Sequence, residues 1–140
     1  RLDFMSEGLL LLSNEGDVAH RLLHPSRQVE RCYVVSLVGP ASATLPERLV
    51  SGIELSDGMA VAREAEWIVG TDVTAPEIEL TLTDGRNREI RRMFAALDLK
   101  VSALRRIAFG PIELGELTLG AIRSLSAGER DSLYRIVGKS

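Results

Sequence analysis

Apolar and polar positions along this chain change period several times, and each change marks a predicted element. The run Gly8-Leu-Leu-Leu-Leu-Ser13 is apolar throughout, as a buried strand is, and Asn14-Glu-Gly16 closes it. Asp17 is then placed to cap a short helix that runs to about Leu23 and stops at Pro25. Cys32 to Val38 reads as a β-branched strand with Tyr33, Val35 and Leu37 on one face and Cys32, Val34 and Ser36 on the other. Pro46 to Val50 suggests a helical turn. Ile53-Glu-Leu55 and the Asp57-Gly58 turn feed a longer strand from about Ala60 to Val69, in which Trp67 packs.

The second half is more sharply patterned. Ile78, Leu80 and Leu82 alternate along Glu77 to Thr83 with the period of a half-buried strand, ended by Asp84-Gly85. A helix is predicted from near Asn87, because Ile90, Met93, Phe94 and Leu97 recur at the three- and four-residue spacing of one buried stripe. Arg88, Arg91 and Arg92 fall on a neighbouring face. Val101 to Phe109 returns to strand, Gly110-Pro111, Gly115 and Gly120 mark turns, and Ser126 with Glu129 forms a capping box for a last helix through Tyr134 to Val137. Strands outnumber helices and most connections are too short for parallel crossovers. The expected fold is therefore α+β, a mixed, largely antiparallel sheet with a few packed helices, and residues 1–140 are expected to form a single domain.

Composition adds constraints. An apolar share of 45% in 140 residues suffices for one core. The longest apolar stretch, Gly8 to Leu12, is far too short to span a bilayer, and the protein is expected to be cytoplasmic. Cys32 is the only cysteine, so no internal disulfide can form, and with His20 and His24 it offers no metal-ligand spacing. The two histidines read as helix-surface or capping residues. A net charge of −3 argues at face value against a nucleic-acid partner, but the distribution argues for one. Residues 86–106 hold Arg86, Arg88, Arg91, Arg92, Lys100, Arg105 and Arg106 against Glu89 and Asp98, whereas residues 1–85 hold 6 bases and 14 acids. A solvated helix face and strand edge would be the better explanation of such a cluster if it stood alone.

Two blocks carry more than pattern. Arg1-Leu2-Asp3-Phe4-Met5-Ser6-Glu7-Gly8 through Ser13-Asn14-Glu15-Gly16 resembles the R-L-D-x-x-[ST]-x-G-L-[LV]-[LI]-[LI]-[ST]-[ND]-[DE]-G signature of bacterial ribosomal-RNA pseudouridine synthases of the RsuA type. Gly85-Arg-Asn-Arg-Glu-Ile-Arg-Arg-Met93 resembles the family's G-[RK]-x-[RH]-[QE]-[VI]-R-[RK]-M block. Between them Glu30-Arg31-Cys32-Tyr33 resembles the [KR]-x-Y segment, and Leu104 to Leu125 resembles the closing strand and turns. The wording leans toward the large-subunit branch.

This resemblance implies that the chain is the C-terminal part of a catalytic domain, lacking an upstream catalytic segment and an N-terminal RNA-binding module of the S4 type. The fragment alone is then expected to have little activity. The implied reaction is isomerisation of specific uridines to pseudouridine in ribosomal RNA, with no cofactor and no metal, no DNA or membrane partner, and an open oligomeric state. The resemblance assigns Asp3 as the catalytic carboxylate, Arg91 as its partner and Tyr33 as the residue against the target uracil. Arg1, Arg86, Arg88, Arg92, Arg105 and Arg106 are the expected RNA contacts. Two rival readings follow from the same residues. A non-catalytic RNA-binding fragment would use the arginines and leave Asp3 idle, and a glycosidase-like hydrolase would need a second carboxylate about 5 to 10 Å from Asp3.

Overall fold

The structure, a computed structural model, describes residues 1–140 other than Arg1, Asp3, Phe4, Thr71, Asn87 and Ser140. Its centre is β2 (Arg31–Leu37), flanked antiparallel by β6 (Glu77–Leu82) and β7 (Val101–Phe109). β5 (Glu64–Trp67) extends the sheet beyond β6, and β1 (Glu7–Gly8) lies parallel to β7 at the other edge, with β8 (Ile112–Glu113) returning as a hairpin on the end of β7. A separate two-stranded ribbon joins β3 (Ile53–Leu55) to β4 (Gly58–Ala60). One parallel pairing among antiparallel ones makes the sheet mixed, as the short connections predict.

Helices cover the sheet in two groups. Val35 and Leu37 of β2 and Ile78, Leu80 and Leu82 of β6 are buried beneath α2 (Leu45–Ser51) and α3 (Glu89–Ala96). From α3 it is Ile90, Met93 and Phe94 that enter this cluster, the stripe that their spacing predicts, and Leu97 packs on it partly buried. Phe94 is fully buried, so truncation to alanine would cost about 3–5 kcal/mol. The second cluster brings Leu9, Val18 and Leu22 together with Phe109, Ile112, Leu133 and Val137, placing α1 (Gly16–Leu23) against α4 (Ala127–Ile136). Ser126 and Glu129 form the predicted capping box at the start of α4.

Three boundaries differ from the sequence reading, each for a physical reason. The expected strand over Gly8 to Ser13 pairs only at Glu7 and Gly8, and Leu10 and Leu12 are exposed. Here the chain meets β7 on one side only: the Leu9 amide donates to the Arg106 carbonyl at 2.8 Å, and a Cβ on Gly8, at φ +111°, would collide with the same oxygen. The helix begins at Gly16, not under an Asp17 cap. Glu15 holds the N-cap position, and its carboxylate is engaged elsewhere, accepting from Tyr134 Oη at 2.7 Å and from Lys139 Nζ at 2.9 Å. The strand expected over Ala60 to Val69 is split, because Val61 to Arg63 carry the chain from the ribbon into the main sheet. There the Ala62 amide donates to Leu49 and the Arg63 amide to Thr81.

Candidate active site

Where the two apolar clusters meet, a cleft of about 460 Å³ opens between the end of β7, the N-terminus of α3 and the first residues of the chain. Leu82, Ile90 and Leu104 line it from the first cluster and Phe109 from the second. Tyr33 faces it, half-buried, at the point where the β2–β7 register shifts between Cys32 and Tyr33. Such irregularities re-aim a side chain within a sheet. Leu2 and Ser6 also line the cleft, and the Ser6 hydroxyl is buried without a hydrogen-bond partner among the described residues. Asp3 and Arg1 lie outside the described residues.

Arg91 reaches the same N-terminal segment from α3. Its Nη2 donates to the carbonyl of Met5 at 2.7 Å, while its Nε is buried with no hydrogen-bond partner among the described residues.

The remaining arginines of the basic stretch divide into three kinds. Arg86 and Arg92 both turn to Asp57, at the tip of the β3–β4 ribbon. Arg92 grips both carboxylate oxygens, at 3.0 and 3.2 Å. Arg86 donates to the Asp57 and Met59 carbonyls, to Asp57 Oδ1 at 3.2 Å and to Glu89 Oε2. These contacts, those of Arg92 first, hold the Asp57 carboxyl below the usual range. Arg88 and Arg105 are exposed, and their side chains make no hydrogen bond or ion pair with another described residue. Arg88 sits at φ 50°, in the left-handed region, immediately before α3, which starts at Glu89. Arg106 is buried in the cleft wall, its Nε donating to the Leu9 carbonyl at 2.9 Å and its guanidinium 5.1 Å from the Phe109 ring centre. His24 behaves as a cap, its Nδ1 accepting from the Ser26 amide at 3.2 Å.

Two cleft residues were not singled out by sequence reasoning. Glu89 opens α3 and is buried beside Asp84. Burial first, and the Asp84 carboxylate second, push its pKa up to about 7, against the pull of Arg86. Arg31 is buried on the cleft floor, with Nη1 donating to the carbonyls of Val29 and Thr83. The signal for Arg31 was available, since it stands two residues before Tyr33 and so on the same strand face.

Comparison with known proteins fits this geometry. The profile of the RNA pseudouridylate synthase family matches residues 1–96, which include Asp3, Tyr33 and Arg91. The chain is 40% identical over 138 residues to an uncharacterized RNA pseudouridine synthase of Mycobacterium tuberculosis, covering 99% of this chain and 54% of that protein. It is 38% identical over 139 residues to the ribosomal large subunit pseudouridine synthase B of Pseudomonas aeruginosa, covering 99% of this chain and 36% of that one. Among solved structures, a crystal structure of a pseudouridylate synthase superposes with a TM-score of 0.82 at 32% identity, over 94% of this chain and 56% of the other. The chain thus spans about half the length of several relatives that it matches, and less of others.

Proposed function

The chain belongs to the RNA pseudouridylate synthase family, and we propose that its cleft isomerises specific uridines of ribosomal RNA to pseudouridine, with Asp3 as the nucleophilic carboxylate. The observation that carries this reading is the convergence of the matched segments on one cleft. Leu2 and Ser6 bracket Asp3 in sequence, Tyr33 faces the cleft from β2, and Arg86 and Glu89 of the second block line it. Names of relatives such as the ribosomal large subunit pseudouridine synthase B of Pseudomonas aeruginosa support ribosomal RNA as substrate and the large-subunit branch.

The chemistry asks for little beyond these groups. The bond from ribose C1′ to N1 of the base must break, the base must turn, C5 must bond to C1′, and the C5 proton must leave. Oxidation state is unchanged, so no redox cofactor is required. A carboxylate suits the electron-poor C1′, either by covalent attack or by stabilising positive charge. Arg91 ties the segment carrying Asp3 to a rigid helix and supplies a cation that favours the ionised acid. Tyr33 stacks against or hydrogen-bonds the uracil, which must be flipped out of its helix or loop to be reached. Arg88 and Arg105, exposed and without a side-chain partner among the described residues, are available to phosphates, while Arg86 and Arg92 first hold the ribbon to α3. Ribosomal RNA as the partner places the working protein in the cytoplasm, and no helix among the described residues is long and apolar enough to cross a membrane.

The deciding experiment is release of the C5 hydrogen from uridine in ribosomal-RNA fragments by the full-length protein. Release with formation of pseudouridine supports the reading. Binding of the fragments without release would instead leave an RNA-binding protein with an idle aspartate.

A further inference from the structure

Arg31 is only 5% exposed, yet only part of its guanidinium is used by the protein. Nη1 donates to the Val29 carbonyl at 3.2 Å and the Thr83 carbonyl at 2.9 Å. Nε and Nη2 make no hydrogen bond with any described residue, although the side chain lines the cleft. Neither atom is among the buried polar atoms left without a partner, so neither is sealed from solvent, and the residue borders the cleft. The guanidinium lies over the Phe109 ring, 5.0 Å from its centre, and Arg106 also contacts that ring. A buried cation with a fixed fork of free donors is a recognition element in search of an acceptor.

We infer that Arg31 donates to a carbonyl oxygen of the target uracil and stabilises the negative charge that the base acquires when it leaves the ribose. This rests on the synthase reading above. Arg31 and Tyr33 share one face of β2 at a separation of about 6.6 Å, two strand residues. A pyrimidine resting on Tyr33 therefore presents an exocyclic oxygen toward Arg31. A phosphate is the poorer occupant, because it is attached to the bulky backbone and Arg31 is only 5% exposed.

The electron count gives the contact a catalytic use. When C1′–N1 breaks, its electron pair stays on the base, and the Asp3 carboxylate meets the electron-poor C1′. The uracil anion spreads its charge over N1, O2 and O4. A guanidinium aimed at O2 or O4 gains strength as this charge develops, which is the condition for accelerating the step. C5 then uses an electron pair to bond C1′, releasing the carboxylate. The C5 proton departs and N1 takes one up, so the product is an isomer of the substrate.

The test compares single-turnover rates of the full-length protein on a fragment carrying uridine, 2-thiouridine or 4-thiouridine at the target, for the wild type and for Arg31→Gln. Sulfur is the weaker acceptor, so one thio substitution is expected to slow the wild type about tenfold. Arg31→Gln is expected to lose a hundredfold or more on uridine, the usual loss for one oxyanion donor, and to stop discriminating that sulfur from oxygen. Retained discrimination in the variant overturns the inference. So does a variant that loses only affinity, with the salt slope reduced by about one, since that marks a phosphate contact. If Arg31→Gln does not fold, the wild-type comparison decides alone, because equal rates on all three substrates exclude a carbonyl contact. A wild type that releases no C5 hydrogen from any ribosomal-RNA fragment overturns the synthase reading, and this inference with it.

Discussion

Arg91 Nη2 donates to the Met5 carbonyl at 2.7 Å, so the helix that carries the second family block holds the backbone two residues beyond Asp3. A lysine at this position keeps a charge but has neither the planar fork nor the reach to preserve the contact. Arg91→Lys is expected to lower C5-hydrogen release by ten- to a hundredfold, the scale of loss when a reacting group is displaced by about an ångström. Arg92→Lys, whose partner Asp57 is half-exposed at the ribbon tip, is expected to lose less than tenfold. Equal losses at the two positions would show that the catalytic face of α3 has been misassigned.

Asp3→Asn removes charge and nucleophilicity while keeping shape. It is expected to abolish pseudouridine formation and to leave affinity for ribosomal RNA within a few-fold. Substantial residual turnover, measured by C5-hydrogen release, would rule out Asp3 as the nucleophile.

The exposed arginines should be visible in salt dependence. Arg88→Ala and Arg105→Ala are each expected to lower the slope of log affinity against log salt by about one. Charge reversal at Glu113 or Glu116 should change the slope little. An affinity for ribosomal RNA that does not respond to salt would exclude phosphate contacts as its source.

Glu89 makes stability depend on pH in a definite direction. Its pKa rises from 4.5 in the unfolded chain to about 7 in the folded protein, chiefly through burial. Between these values the folded state holds a proton that the unfolded state has lost, so the contribution of Glu89 to stability is full below pH 4.5 and is lost as pH rises through 7. Glu89→Gln is expected to flatten this part of the profile, measured by urea unfolding at pH 4.5 and pH 7.5. The same slope in the variant would assign the dependence to another group.

At the start of α4 the Ser126 hydroxyl accepts from the Glu129 amide at 3.1 Å, and Glu129 returns the bond to the Ser126 amide at 2.8 Å. Ser126→Ala is expected to cost about 1 kcal/mol, read from the urea midpoint at unchanged slope. Because α4 contributes Leu133 to the second cluster, away from Tyr33, synthase activity at low temperature should be unaffected.

The elements whose burial is decided by their own periodicity were legible in the chain. Alternation alone put Val35 and Leu37 on one strand face, and the spacing of Ile90, Met93 and Phe94 marked the helix face that joins them in one core. The family blocks likewise pointed to Tyr33, which the fold brings to the cleft. Gly8 to Ser13 was misread because an apolar run signals burial without saying how many neighbours supply it. β7 supplies one, and Leu10 and Leu12 are left exposed.

The basic stretch shows most clearly what sequence and tertiary structure each decide. By itself the sequence determined that residues 86–106 carry a concentration of positive charge, and that Arg91 and Arg92 share one helix, since charge and helical angle are local properties. Only the tertiary structure decided what each guanidinium does. Arg86 and Arg92 are bound by Asp57 from a ribbon about thirty residues earlier in the chain, Arg106 is folded into the cleft wall by Leu9 and Phe109, and Arg91 reaches back to Met5. An arginine's role depends on which acceptors lie within about 3 Å of its donors, and those acceptors come from segments that only the closed sheet brings together.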